Sequence, residues 1–346
     1  MGVWILFLIL VALAGDSQGQ EIVDLYSGID SSDVTVAGEA AGAVLRMELV
    51  LNGDVVRSRE IGLDGPGTWV VRWDLPDPEE GSYDACASLL VNGTPVSRRC
   101  YSFLYGDEVP LRFDVRDFRV DSMGVHLSIA AKDPTMADIY YMLLSGDRAI
   151  HVAREEAVPI IGTTAQKDFY WKQVLENGRR YSGRVKIVEL GHNQTRALTG
   201  TFIAADDARI TETYQDETGA SATVLGRSRV PFKGRLIFVL SQNGTVIGSV
   251  EKRTPVLLAG DDETVEVSWN STLEPGVYHL RTILVGERGD IKDLEENIIE
   301  AEPLILPANT TEAERRSAAP AGAAALALIS AAAFMVWRRR TGGGLG

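Results

Sequence analysis

Apolar and polar residues alternate with a period of two along most of this chain. Tyr83-Ala85-Ala87-Leu89, Tyr181-Gly183-Val185-Ile187 and Tyr278-Leu280-Thr282-Leu284 each put every second residue on one face, as a strand with one buried side does. Three longer runs alternate around a turn: "RMELVLNGDVVRS" from Arg46, "IYYMLLSGDRAIHVA" from Ile139 and "RLIFVLSQNGTVIGSV" from Arg235. Asn52-Gly53, Gly146-Asp147 and Asn243-Gly244 accept positive φ, so each run predicts a hairpin with a two-residue turn. A shorter strand-like run follows an acid-containing lead at Asp30, Asp121 and Asp216.

These pieces recur. Trp73, Trp171 and Trp269 are 98 and 98 residues apart, and Tyr83, Tyr181 and Tyr278 follow at 98 and 97. The spacing predicts three copies of one domain, each of about seven short strands with turn signals every 8 to 12 residues, the pattern of a β-sandwich. The expected fold class is all-β: three tandem immunoglobulin-like β-sandwiches over 20–106, 107–205 and 206–307, with one C-terminal transmembrane helix. The junctions "YGDEVPL" from Tyr105 and "IAADDAR" from Ile203 are short, which predicts a semi-rigid row.

A leucine (Leu75, Leu175 or Leu273), a glycine and then the tyrosine entering an alternating strand resembles the tyrosine corner of the immunoglobulin and fibronectin type III class. Leu273, Gly276 and Tyr278 match best, whereas Gly178 lies three residues before Tyr181 and departs from the pattern. The resemblance covers nearly all of residues 21–307 and implies that Trp73, Tyr83, Trp171, Tyr181, Trp269 and Tyr278 are core residues. It implies little about function.

The two ends set the expected location. Val3 to Ala14 is an unbroken apolar run followed by small and polar residues, which fits a secretory signal peptide over 1–19. Its n-region has no Lys or Arg, and cleavage after Ala14 or after Gly19 fits equally. Ala318 to Trp337 is twenty residues without a charge, about 30 Å as a helix, which is the thickness of a hydrocarbon core. It follows a polar linker over 308–317, and Arg338, Arg339 and Arg340 would hold the 338–346 tail in the cytoplasm. Pro320-Ala321-Gly322, the apolar span, the arginines and the upstream "PANTTEAE" resemble the Pro-Gly-Phe sorting tail of archaeal cell-surface proteins. The triplet itself is absent and "TGGGLG" trails the arginines. The resemblance implies a tail exchanged for a lipid; without it, the chain is a single-pass membrane protein facing outward.

Charge narrows the partners. Residues 20–314 hold 47 acidic and 29 basic residues, a net of −18, and such a surface repels nucleic acid and anionic lipid. Five Asn-x-Ser/Thr sequons, at Asn92, Asn193, Asn243, Asn270 and Asn309, fall in the predicted exterior and are glycosylation candidates, although Pro95 follows the Asn92 sequon. The two cysteines predict one disulfide. Around a turn at Asn92-Gly93-Thr94, positions summing to 186 oppose each other and pair Cys86 with Cys100, while a two-residue turn would offset them by one. Cys86 alternates with the inward set, so the bridge should lie on the outer face. Two free thiols are the alternative.

Catalytic chemistry is sparse. His126, His151, His192 and His279 are scattered, none at metal-ligand spacing, and no nucleophile elbow or phosphate-binding glycine loop is present. No catalytic or metal residue and no cofactor is assigned. Calcium remains the alternative at the acidic groups Asp114 and Asp117, Asp206-Asp207, Asp261-Asp262-Glu263, and Asp290, Asp293, Glu295 and Glu296. The expectation is a membrane-anchored, non-enzymatic binding or adhesion protein whose partner is an envelope protein or a glycan. A structural envelope component is the alternative, and a hydrolase with an interdomain site the second alternative.

Overall fold

The structure is a computed structural model that describes residues 19–106, 111–162, 165–192 and 194–302. The signal segment, the linker, the C-terminal span and tail, Asn193 and Asn309 lie outside the described residues. Among these residues the chain is all-β, with no helix.

Among the described residues twenty-one strands fall into three blocks of seven. The first block has β1 (Glu21–Ser27), β2 (Ser31–Ala37), β3 (Val44–Leu51), β4 (Asp54–Gly62), β5 (Gly67–Arg72), β6 (Gly81–Val91) and β7 (Thr94–Tyr105). The second has β8 (Phe113–Val120), β9 (Gly124–Ala131), β10 (Thr135–Ser145), β11 (Arg148–Ile160), β12 (Ala165–Tyr170), β13 (Arg180–Glu189) and β14 (Thr195–Ile203). The third has β15 (Ala208–Gln215), β16 (Gly219–Gly226), β17 (Arg235–Gln242), β18 (Thr245–Arg253), β19 (Asp262–Ser268), β20 (Gly276–Val285) and β21 (Ile291–Ala301). In every block the first, second and fifth strands make one antiparallel group, and the fourth, third, sixth and seventh make another in that order. The two groups face each other over an apolar filling, as in a β-sandwich.

The alternation read from the sequence is the packing alternation. Tyr83, Ala85, Ala87 and Leu89 are buried in the first cluster, and Tyr278, Leu280 and Leu284 in the third. The hairpins turn where Asn-Gly and Gly-Asp sit, with one refinement. Asn52-Gly53 and Asn243-Gly244 have positive φ at both residues, whereas at Gly146-Asp147 only the glycine does, so that turn needs glycine in its first position alone. Each hairpin then carries an extra residue three positions beyond the turn: Val56, Ile150 and Ile247 are skipped in the pairing. Such a bulge increases the local twist. Long outer strands such as β4 and β18 are exposed and carry charges, which discourages uncontrolled edge pairing.

The expected row of domains is incomplete as a description. The first and second blocks share a seven-stranded sheet of order β1-β2-β5-β11-β10-β13-β14. The edge of β5 meets the edge of β11, where Arg148 pairs with Trp69 and the Val70 N–H donates to the Asp147 carbonyl at 2.7 Å. The sheet then rolls until its two terminal strands approach, and the Tyr26 hydroxyl donates to the Thr195 carbonyl at 3.3 Å. A short linker alone does not produce this arrangement; paired strand edges do.

Candidate functional site

The repeated Trp and Tyr build a corner in each block. Each Trp lies one residue past the fifth strand, and its indole N–H reaches back to the start of the second strand in the first block and to the turn before that strand in the other two. Trp73 Nε1 donates to Ser32 Oγ at 3.1 Å, Trp171 Nε1 to the Asp121 carbonyl at 3.0 Å, and Trp269 Nε1 to the Asp216 carbonyl at 3.1 Å. Asp121 and Asp216 in turn cap that turn by accepting backbone N–H groups. The Tyr83 and Tyr278 hydroxyls donate to the carbonyls of Glu79 and Glu274, at 2.7 and 2.8 Å. In the middle block the geometry changes: the Tyr181 hydroxyl accepts from the Glu176 N–H at 3.2 Å, because the glycine sits elsewhere. Trp73, Trp171, Tyr83, Tyr181 and Tyr278 are buried, and Trp269 is half-buried against the third cluster.

Cys86 and Cys100 are bonded and directly opposed. The turn has two residues, Asn92 and Gly93, and pairs Val91 with Thr94 and Leu90 with Pro95. The bulge at Val96 then shifts the register by one and brings the cysteines opposite. Cys100 is exposed and Cys86 stands apart from the first apolar cluster, so the bridge is on the outer face. Asn92, Asn243 and Asn270 are exposed, the first two at hairpin tips with positive φ.

The histidines are not brought together. His126 Nδ1 meets Asp168 at 2.8 Å, His192 faces Glu189 at 3.4 Å, and His279 is exposed. His151 stacks on Phe169, and burial, with Lys172 adding, pushes its pKa down. The acidic residues considered for calcium are spread over basic and backbone partners. Asp117 pairs with Arg119 at 2.8 Å, Asp206 with Lys292 at 3.1 Å and Glu296 with Arg281 at 2.8 Å, while Asp293 accepts the Ile210 N–H at 2.8 Å. Among the described residues no three His, Cys, Asp or Glu side chains are arranged to hold a metal.

The site that stands out is one that sequence reading missed, inside the rolled sheet. Arg184 and Lys186 lie on the outward face of β13, and the outward face of β1 and β2 covers them. Arg184 is 1 % exposed and Asp33 2 %. Arg184 Nη2 donates to Asp33 Oδ1 at 2.8 Å, and its Nη1 to Ser31 Oγ at 2.7 Å and Thr199 Oγ1 at 3.1 Å. Lys186 Nζ donates to Asp33 Oδ2 at 2.7 Å and Asp24 Oδ2 at 3.0 Å. Two carboxylates thus face two cations, and both Asp33 oxygens are occupied. Burial works to lower the Lys186 pKa, but the pull of Asp33 and Asp24 and their hydrogen bonds raises it above the ordinary lysine value. Val70 packs on Met142 and Leu144 beside this cluster, so the interface has an apolar half and an ionic half. The only sequence signal was two cations at i and i+2 on a strand face and an acid inside an apolar run, a pattern that a solvated face also gives.

Where the rolled sheet fails to close, a cleft of about 590 Å³ opens, within the range of ligand sites, which favour domain interfaces. Its walls are the runs 26–30, 101–105 and 194–197, with Ser82 and Leu111. Tyr101, Phe103 and Tyr105, partly buried with their rings against Tyr26 and Tyr83, border it, and Arg196 and Asp30 give it both signs of charge. Burial, with Asp33 and Asp24, raises the Tyr101 phenol above its ordinary value despite Lys186.

No known family matches the chain, and no curated protein matches it. Among solved structures it is similar to a tetra-tandem repeat from the extending region of a large adhesion protein, at 11 % identity over 82 % of this chain and 74 % of that one, with a TM-score of 0.25. It is similar to native Escherichia coli alpha-2-macroglobulin at 13 % identity over 82 % of this chain, with a TM-score of 0.21. It is similar to dimeric latent PorU of Porphyromonas gingivalis at 11 % identity over 80 %, with a TM-score of 0.24. The chain spans 22 % and 32 % of the latter two. At these scores the likenesses carry no argument about what the chain does.

Proposed function

We propose that this chain is a membrane-anchored extracellular binding or adhesion protein, non-enzymatic, built from three immunoglobulin/fibronectin III-like sandwiches on a C-terminal anchor. The observation that carries the extracellular part is the Cys86–Cys100 bridge on a partly solvent-facing strand pair, since disulfides persist in oxidising compartments. The secretory-type N-terminus, the uncharged stretch before Arg338 and the exposed sequons agree with it. The binding part rests on the cleft, and on an ionic interface that holds its walls in a fixed relation.

Mass spectrometry of the protein purified from its own host's membranes tests the reading. The expected result is a mature chain starting near Gly15 or Gln20, a Cys86–Cys100 crosslink and sugar on at least one of Asn92, Asn193, Asn243, Asn270 and Asn309. Loss of the region after about Ser317 would indicate the lipid-exchanged form. An unprocessed N-terminus with free thiols and bare asparagines would overturn it.

A further inference from the structure

The cleft is walled by consecutive residues rather than alternate ones. A sheet face contributes every second residue, so runs such as 101–105 and 194–197 mean that strand edges, with their backbone groups, border the space. Among the described residues β14 is a terminal strand of its sheet, paired only with β13. Two hydrogen bonds fix which of its backbone groups face outward. The Gln194 carbonyl accepts from the Glu189 N–H at 2.8 Å and therefore points toward β13. The next carbonyl, that of Thr195, accepts from Tyr26 at 3.3 Å and points the other way. Backbone groups alternate along a strand, so the N–H and C=O of Ala197 also face away from β13, toward the open seam.

We propose that this seam captures an extended peptide of a partner protein, which adds to β14 as a further strand at Ala197, beyond the point where Tyr26 already holds the Thr195 carbonyl. Strand addition of this kind takes its affinity from main-chain hydrogen bonds and its specificity from pockets for alternate side chains. Here Tyr101, Phe103 and Tyr105 receive those side chains, so the peptide carries apolar residues at every second position. The interface already uses the same device: β5 joins β11 edge to edge on one side of the rolled sheet, and the seam is the continuation of that interface where the edges stay unjoined. The proposal rests on the binding reading above, and the two fail separately, because export is read from the mature terminus and crosslink and peptide capture from affinities.

The test is selection of a random dodecapeptide display library on the full chain in detergent, followed by titration of the enriched synthetic peptides. Ala197→Pro removes the seam-facing N–H without touching a bond to β13, and proline is tolerated at the solvent side of an edge strand. The expected result is a tenfold or greater loss of affinity for Ala197→Pro. On the unaltered chain, N-methylation of the peptide should weaken binding at alternate positions only, a readout that does not depend on how the variant folds. Failure to enrich any peptide, or peptides indifferent to both changes, overturns the proposal. So does a glycan that binds through Tyr101 and Phe103 and ignores Ala197→Pro.

Discussion

The two junctions between blocks are built from different chemistry. The first joins strand edges and adds a buried ionic contact: β5 meets β11 edge to edge, Val70 packs on Met142 and Leu144, and Asp33 lies buried between Arg184 and Lys186. The second is a loop in a socket. Arg229, in the connection from β16 to β17, donates its N–H to the Ser122 carbonyl at 3.1 Å, accepts the Leu175 N–H at 2.9 Å, and reaches the Lys172 carbonyl at 3.0 Å. Val230 beside it is 1 % exposed and belongs to the apolar cluster of the second block. Main-chain hydrogen bonds and one apolar plug can form with many side chains. A buried ion cluster tolerates almost no single change, because each ion left alone has lost its water and gained nothing.

That contrast orders the expected effects of mutation. Asp33→Ala leaves two buried cations without their shared partner and should cost about 3–5 kcal/mol, read by denaturant unfolding. A milder loss, or a gain, would show that solvent reaches the cluster. Replacing Asp33 and Arg184 together by apolar residues of similar volume should recover most of the loss. At the second junction Val230→Ala removes two methyl groups from a filled site and should cost about 2 kcal/mol. A cost equal to that of Asp33→Ala would erase the distinction between the junctions.

Hydroxyl deletion probes a finer difference, between the corners. Tyr83→Phe and Tyr278→Phe should each cost about 1 kcal/mol. Tyr181→Phe should differ from both, since that hydroxyl accepts rather than donates in its corner bond and its loss leaves the Glu176 N–H without that partner. The smallest effect is alkaline. Lys186 has a raised folded-state pKa, so its stabilising contribution is present below the unfolded lysine value, about 10.4, and is lost as pH rises through the folded one. Between about 10.4 and the raised folded value the full chain should lose stability, and Lys186→Met should lose less over the same interval.

Much of the sandwich could be read from the chain because its cause is local. Alternation at Tyr83 to Leu89 and at Tyr278 to Leu284 marks the inward face whatever the neighbours are, and Asn-Gly turns carry their own conformational preference. The cysteine pairing was legible only in part: counting from a two-residue turn puts Cys86 out of register by one, and the bulge at Val96 restores it. Asp33, Arg184 and Lys186 were not legible as a cluster. A charge on the outer face of a strand is the same letter whether water or another sheet covers it, and contacts at a separation of about 150 residues leave no local trace. The seam was hidden for the same reason, since it exists only where β1 and β14 approach after the sheet has rolled.

The most direct test of the central claim, that the ion cluster makes the first two blocks one mechanical unit, is amide hydrogen exchange across β2 and β13 in the full chain and in Asp33→Ala. The account predicts that protection falls together in both strands, because opening one block exposes the other. If exchange quickens in β2 while β13 keeps its protection, the blocks open independently, and the interface joins them without coupling them.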